Sequence, residues 1–335
     1  MRRIAIIGGG PVGLYTAMRL SQQFNSKSTS VTLIEKRPEY TRDYILSITI
    51  PNFLKLNPDA GLWFKAGLCS NVQGNNPHIN KIPFEYYMEK FFTEERLNDL
   101  KNKTIAVKIK DIEYHLLKRI ECKIIRGSES FESLKSNYDI IIAADGANST
   151  MRSDVMKSKL IHVTKPLYGL ITTAKTSFSS IHRHTTDEEP QFRKRFFAVP
   201  DGTIYLASLI NPLEYIYHKN AGTLDHFQSL TFGQTLFDMG INTNLSYSNE
   251  SIFPVISSVS DRFCAISDDH PPIYLIGDAL AVGNFFTGSG FNIGIDTADT
   301  LVDLLRFERI DEFTYVKSQM PHVRTLMNRA GRVTL

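Results

Sequence analysis

Cysteine is scarce. The 335 residues hold three, Cys69, Cys122 and Cys264, too widely spaced for any metal-ligand pattern. No metal site is expected, a disulfide framework does not fit, and a reducing, cytoplasmic setting is the natural expectation. Long apolar runs are missing too: none approaches the roughly 20 residues of a transmembrane helix. Charge of one sign is balanced, with 38 Lys and Arg against 35 Asp and Glu. The net +3 is too small an excess to argue for nucleic acid or an anionic membrane as a partner. Internal repeats and low-complexity segments are absent. The first strand is expected at about Arg3, with a glycine loop by Gly8, which leaves no room for a cleavable leader.

What is present is ordinary globular material, 42% hydrophobic and 22% charged, in a length that fits two domains or one elaborated domain. Ile4 to Ile7 reads as a buried strand, Val12 to Phe24 as a helix, and Val31 to Ile34 as a second strand ending in Glu35. Such a β-α-β unit builds a parallel sheet. Pro51 to Asn80 reads as loop and Phe84 to Leu100 as helix. Thr104 to His115 and Leu116 to Arg126 alternate apolar and polar residues and predict a β-hairpin or meander. Tyr138 to Ala144 is another apolar strand. The texture becomes β-rich near Lys165, with strands at Tyr168 to Thr176, Phe192 to Val199 and Thr203 to Ile210, a Pro200-Asp201-Gly202 turn, and helix within Thr223 to Met239. Ile273 to Ile276 is one more buried strand, and an amphipathic helix runs from about Ile293 to Phe307. The expected architecture is α/β: a discontinuous Rossmann-like domain over 1–165 and 263–335, with an inserted antiparallel β-sheet substrate domain over 166–262.

Three stretches carry chemistry. The first is Gly8-Gly9-Gly10-Pro11-Val12-Gly13, between a strand and a helix, with an acidic residue at the next strand end. That is the dinucleotide fingerprint: Gly8 for the tight turn, Gly10 for close approach of a pyrophosphate, Gly13 for helix-on-strand packing. The helix N-terminus presents free N–H groups to phosphate. Glu35 would take ribose hydroxyls, with Lys36 and Arg37 near the adenine end. This motif alone fits NAD as well as FAD.

The second stretch is Asp145-Gly146-Ala147-Asn148-Ser149 with Arg152, at a strand end. The third is Gly277-Asp278-Ala279 followed by Gly288-Ser289-Gly290-Phe291-Asn292-Ile293-Gly294. Together, in this order, the three stretches resemble the FAD monooxygenases of the p-hydroxybenzoate hydroxylase fold. The resemblance implies an FAD-binding domain of the glutathione-reductase type. It implies that Asp145-Gly146 serves both FAD and the nicotinamide cofactor, that Asp278 holds the ribitol, and that Arg42 lies near the diphosphate. Gly288, Gly290, Phe291 and Asn292 would approach the flavin ring, with the positive end of their helix toward it. The implied reaction is oxygenation: NADH or NADPH reduces FAD, O2 adds at flavin C4a, and the resulting hydroperoxide passes one oxygen to a small-molecule substrate, of aromatic type in most of the family, while the other leaves as water. The flavin carries the chemistry, so no catalytic side chain is required.

Some residues depart from that pattern. Ala281 and Phe285 stand where most aromatic hydroxylases have His and Pro, and Pro83-Phe84-Glu85 lacks the usual Arg or Gln. The run Gly277 to Leu280 and the aromatics before Thr287-Gly288 are similar to the MICAL monooxygenases, which adds a protein substrate to the possibilities. Halogenases of the fold carry paired tryptophans, and Trp63 stands alone. His182 and His184 near Asp187 and Glu188 read as a polar loop rather than a metal site. A flavin reductase or oxidase, or a flavin-binding protein without turnover, remains the alternative to a monooxygenase.

Overall fold

The computed structural model describes residues 1–42, 44–56, 104–164, 167–175, 194–198, 203–227, 230, 233–234, 247–283, 289–307 and 309–331. In chain order the elements are β1 (Arg2–Ile7), α1 (Pro11–Gln23), β2 (Thr29–Glu35), β3 (Ile45–Thr49), α2 (Ile50–Leu56), β4 (Thr104–Lys108), α3 (Ile109–Leu117), β5 (Lys123–Arg126), α4 (Phe131–Asn137) and β6 (Ile140–Ala143). They continue with β7 (Leu160–His162), β8 (Leu167–Lys175), β9 (Lys194–Ala198), β10 (Thr203–Ile210), α5 (Pro212–Asn220), β11 (Tyr247–Val255), β12 (Ser258–Ser260), β13 (Cys264–Ala265), β14 (Ile273–Leu275), β15 (Ala281–Val282), α6 (Gly290–Leu304) and α7 (Glu312–Gly331).

Two compact units divide the chain. One comprises Met1–Arg42, Ile109–Thr164 and Ser257–Arg332, the other Asp43–Lys108, Lys165–Ile256 and Val333–Leu335. Residues 43–108, which the sequence groups with the nucleotide-binding part, fall in the second unit, where β3 pairs antiparallel with β4. Residues 257–262 fall in the first, because β12 pairs with β7 and β15 there.

The first unit is built on a six-stranded sheet of order β13-β14-β6-β1-β2-β5, parallel except for the β13–β14 pair. Its strands read as near-continuous apolar runs, as strands buried on both faces must. Ile4, Ala5, Ile6, Ile141, Ile142 and Leu275 have no solvent exposure. Pro11 opens α1 in the first helical turn, where its missing N–H costs nothing. Leu14, Ala17, Met18 and Leu20 bury one face of that helix. Tyr15 reaches across to α6, where its hydroxyl donates to Asp299 Oδ1 at 2.6 Å. From β1 the chain crosses to β2 on one side, and β6 lies on the other. The strand order thus reverses at β1, and at such a switch point a crevice opens at the carboxyl ends of the strands.

The hairpin expected over Thr104 to Arg126 does not form. The strand stops at Lys108, α3 follows, and β5 pairs parallel with β2. Ile109, Ile112, Glu113 and Leu116 are the buried residues of α3. Their spacing of three and four is helical, and it overrides the short apolar–polar alternation at its start.

The second unit contains an antiparallel sheet of order β11-β8-β10-β9. Helix α5, which the sequence pattern does not announce, begins at Pro212, where the Asn211 side chain accepts from the Leu213 N–H at 2.9 Å. Residues 224–227 are helical, and the rest of the predicted Thr223 to Met239 segment falls mostly outside the described residues.

Candidate functional site

A cavity of about 350 Å³ opens at the carboxyl ends of β1, β2, β6 and β14, a volume in the range of small-molecule sites. Its wall brings together Gly8, Gly10, Pro11, Val12, Glu35, Lys36, Arg37, Arg42, Asp145, Gly146 and Asp278, from all three stretches. Gly13, Gly290, Phe291 and Asn292 do not line it. Gly288, Phe285 and Phe286 lie outside the described residues, as do Trp63, Pro83 to Glu85, His182, His184, Asp187 and Glu188.

Each glycine of the first loop has a separate task. Gly8 has φ +99°, and a Cβ there would come within 2.5 Å of the Ala144 carbonyl oxygen. The loops after β1 and β6 thus nest backbone to backbone. Gly13 is tighter still, since a Cβ would lie 1.9 Å from the Gly8 oxygen. At Gly10 the space is open, with only Arg42 Nη2 near, 3.5 Å from a built Cβ. Val12 packs beneath the third stretch, its methyls 3.1 Å and 2.6 Å from the Cβ positions of Gly277 and Gly294.

Glu35 is buried, and both its oxygens are already engaged. Oε1 accepts from the Arg37 N–H at 2.7 Å and its Nε at 3.1 Å, and Oε2 accepts from the Gly9 N–H at 2.7 Å and Arg37 Nη2 at 3.0 Å. Burial alone would raise this carboxyl, but the Arg37 hydrogen bonds and charge, with the Gly9 amide, hold it below the ordinary carboxylate value. A carboxylate has about four lone-pair positions, so a ribose hydroxyl must share with or displace the Arg37 fork.

Asp145 Oδ2 accepts from the Thr150 N–H at 2.8 Å and the Met151 N–H at 3.3 Å, capping the helical turn Met151–Val155. Its buried Oδ1 has no partner among the described residues. Arg152, buried, ties the second stretch to the third: Nη2 donates to the Ala147 carbonyl at 2.5 Å and Nη1 to the Ala279 carbonyl at 2.8 Å. It is a pin beneath the cavity rather than part of its wall.

Asp278 faces the cavity. It is open to solvent there but sunk among protein atoms, and this desolvation pushes its carboxyl up to about 6 against the opposing charges of Arg42 and Arg152. Gly290 starts α6 beside it, its Cβ position 3.6 Å from Asp278 Oδ1. Thr297 on α6 accepts the Gly277 N–H at 3.1 Å and donates to the Gly294 carbonyl at 2.9 Å, which fixes the turn that presents Asp278. Ala281, the departure from the hydroxylase pattern, is buried in β15 opposite Val259.

Several participants were not legible in the sequence. Gly127, Ser128 and Glu129, after β5, line the cavity beside Glu35, and the Gly127 N–H donates to the Glu35 carbonyl at 2.9 Å. Glu113, fully buried on α3, accepts from Arg42 Nη2 and, at 3.5 Å, from Arg37 Nη2. The apolar–polar alternation at the start of its segment predicts strand and hides it. The helical spacing around it was the available signal.

These residues suit an anionic, hydroxyl-bearing dinucleotide. Arg42 Nε and Asp145 Oδ1 are buried with no partner among the described residues, and their residues line the cavity. An orphaned buried polar atom costs about 1–3 kcal/mol, so a ligand supplying an anionic oxygen to the one and a hydroxyl to the other would be favoured.

No family model matches the chain, and no curated protein matches it. Solved structures do. CmlS, a flavin-dependent halogenase, superposes with a TM-score of 0.68 at 13% identity, over 98% of this chain and 63% of that one. The Diels-Alderase PyrE3 of the pyrroindomycin biosynthetic pathway gives 0.65 at 14% identity, over 100% and 73%. The p-nitrophenol 4-monooxygenase PnpA from Pseudomonas putida gives 0.63 at 13% identity, over 99% and 89%. The chain thus spans just under two thirds of CmlS. Its fold is the p-hydroxybenzoate hydroxylase type that its sequence resembles: a Rossmann-like parallel-sheet unit with a second unit built on antiparallel strands. Among the described residues no helix is long and apolar enough to cross a membrane.

Proposed function

We propose that the chain binds FAD in this cavity and is a monooxygenase that takes electrons from NADH or NADPH and oxygen from O2 to oxygenate a small molecule. One observation carries the reading. Three stretches far apart in sequence line a single crevice, and each presents the group a dinucleotide flavin requires. The N-terminus of α1 with Gly8 and Gly10 receives the diphosphate, and Arg42 supplies positive charge above it. Glu35, Lys36 and Arg37 hold the adenosine end. Asp145 Oδ1 is free to accept a hydroxyl, and Asp278 takes the ribitol. Gly290, Phe291 and Asn292 open α6, whose positive end would stabilise negative charge on a reduced ring.

Bound FAD supplies hydride acceptance and oxygen activation, and the protein's part is to bind, orient and exclude water. No nucleophilic side chain is needed. The same-fold structures PnpA and CmlS, named as a monooxygenase and a flavin-dependent halogenase, support flavin chemistry. A cytoplasmic location goes with this reading, since Cys122 and Cys264 are free thiols. Purified protein should be yellow and release FAD on denaturation. Anaerobic NADPH or NADH, with candidate substrates present, should bleach it. A colourless protein that takes up no added FAD would sink the proposal.

A second reading keeps FAD but not oxygen transfer: a reductase, an oxidase, or a flavin-binding protein without turnover. PyrE3, of the same fold, is named as a Diels-Alderase, so the fold does not dictate oxygenation. Hydrogen peroxide formed without oxygenated product, or retained FAD with no bleaching, would select it.

A further inference from the structure

Helix α3 contributes nothing to the motifs, yet it holds Arg42 at both ends. The Lys110 N–H in its first turn donates to the Arg42 carbonyl oxygen at 3.2 Å. One turn on, Glu113 accepts from Arg42 Nη2 and lies 3.5 Å from Arg37 Nη2. Ile109, Ile112 and Leu116 bury the same face of the helix, so the carboxylate cannot turn to solvent. Its other oxygen, Oε2, has no partner among the described residues, and desolvation pushes the carboxyl above its ordinary value despite both arginines. A charge left this poorly compensated is costly to the fold. Its geometric effect is specific. With Nη2 held by Glu113, the Arg42 guanidinium stands over Gly10, 3.5 Å from the built Cβ position, and its Nε has no partner among the described residues.

We propose that Glu113 is the positioning residue of the dinucleotide site: it clamps Arg42 so that the Arg42 guanidinium is preset above Gly10 for a diphosphate, while Arg37 is held by its own fork on Glu35. The inference rests on the proposed dinucleotide reading of the cavity. Preset charge saves the ordering cost that a flexible arginine would meet on binding. Glu113 itself touches no ligand and acts through Arg42.

The test is equilibrium binding of FAD, ADP and adenosine to apo-protein for wild type, E113A, E113Q, R42M and the E113A/R42M double variant, with unfolding curves for each. E113A should weaken FAD and ADP at least about tenfold, the loss of roughly one charge-assisted hydrogen bond, and leave adenosine within about twofold. E113Q, which keeps an acceptor for Arg42, should stay within about threefold of wild type. In the R42M background E113A should cost nothing further, because the residue through which Glu113 acts is gone. Equal losses for ADP and adenosine, or losses that add in the double variant, would mean a purely structural role and overturn the proposal while the cofactor reading stands. Wild type that binds neither FAD nor ADP would overturn both. If E113A fails to fold, E113Q and R42M decide: the proposal fails unless R42M loses FAD and ADP and E113Q retains them.

Discussion

Arg152 and Ala279 are joined by a hydrogen bond of 2.8 Å from Nη1 to the carbonyl oxygen, across 127 residues of chain. The same guanidinium reaches the Ala147 carbonyl. The Asp-Gly and Gly-Asp stretches are therefore one rigid piece, and the distance between Asp145 and Asp278 is set from below by a residue that lines no part of the cavity.

Replacing Arg152 with Met should leave two carbonyls without their donor and destabilise the protein by about 2–4 kcal/mol. R152K should recover less than half, because one ammonium cannot span both acceptors as the planar fork does. Urea unfolding midpoints of the three proteins measure this, and equal midpoints for R152K and wild type would contradict it.

Gly10 and Gly13 should separate binding from folding. Gly10 has ordinary extended backbone, φ −68° and ψ 178°, and open space, so G10A should fold within about 0.5 kcal/mol of wild type yet lose at least about tenfold in FAD affinity. G13A cannot fit its Cβ beside the Gly8 oxygen and should fail to accumulate as folded protein. Thermal melts and flavin titration distinguish the two.

Asp278 gives a pH prediction with a definite sign. Its carboxyl is raised in the fold, to about 6 from 3.8, so its contribution to stability is fully present below about pH 4 and is lost as pH rises through 6. D278N removes that loss. Ligand-free D278N should match wild type near pH 4 and exceed it above pH 6 by about 1 kcal/mol, a figure reduced for the water that the open cavity admits. FAD affinity should fall in the same variant. A Tm difference between the two proteins that shows no pH dependence would refute the assignment.

Thr297 should matter to the third stretch without touching a ligand. T297V deprives the buried Gly277 N–H of its acceptor and should cost about 1–3 kcal/mol, whereas T297S keeps the hydroxyl and should cost less. Chemical denaturation curves provide the comparison.

By itself the sequence determined the local features. Pro11 after Gly10, the apolar runs of β1, β2, β6 and β14, and the turns that end them are set by backbone preference and side-chain period, which act over a few residues. That is why the glycine loop and the strand-end residues that line the cavity, Asp278 among them, could be read from it. The tertiary structure decided the rest. Only the order of strands brings Ala144 against Gly8, and only the helical path of α3 turns Glu113 toward Arg42, 71 residues before it. Ile109 to Leu117 carried both periods, and burial of the three-and-four spaced face settled it as helix. Residues 45–49 and 104–108, far apart in sequence, likewise meet only in the β3–β4 ladder. Pairings between distant segments depend on which faces the sheet buries together, and no local pattern records that.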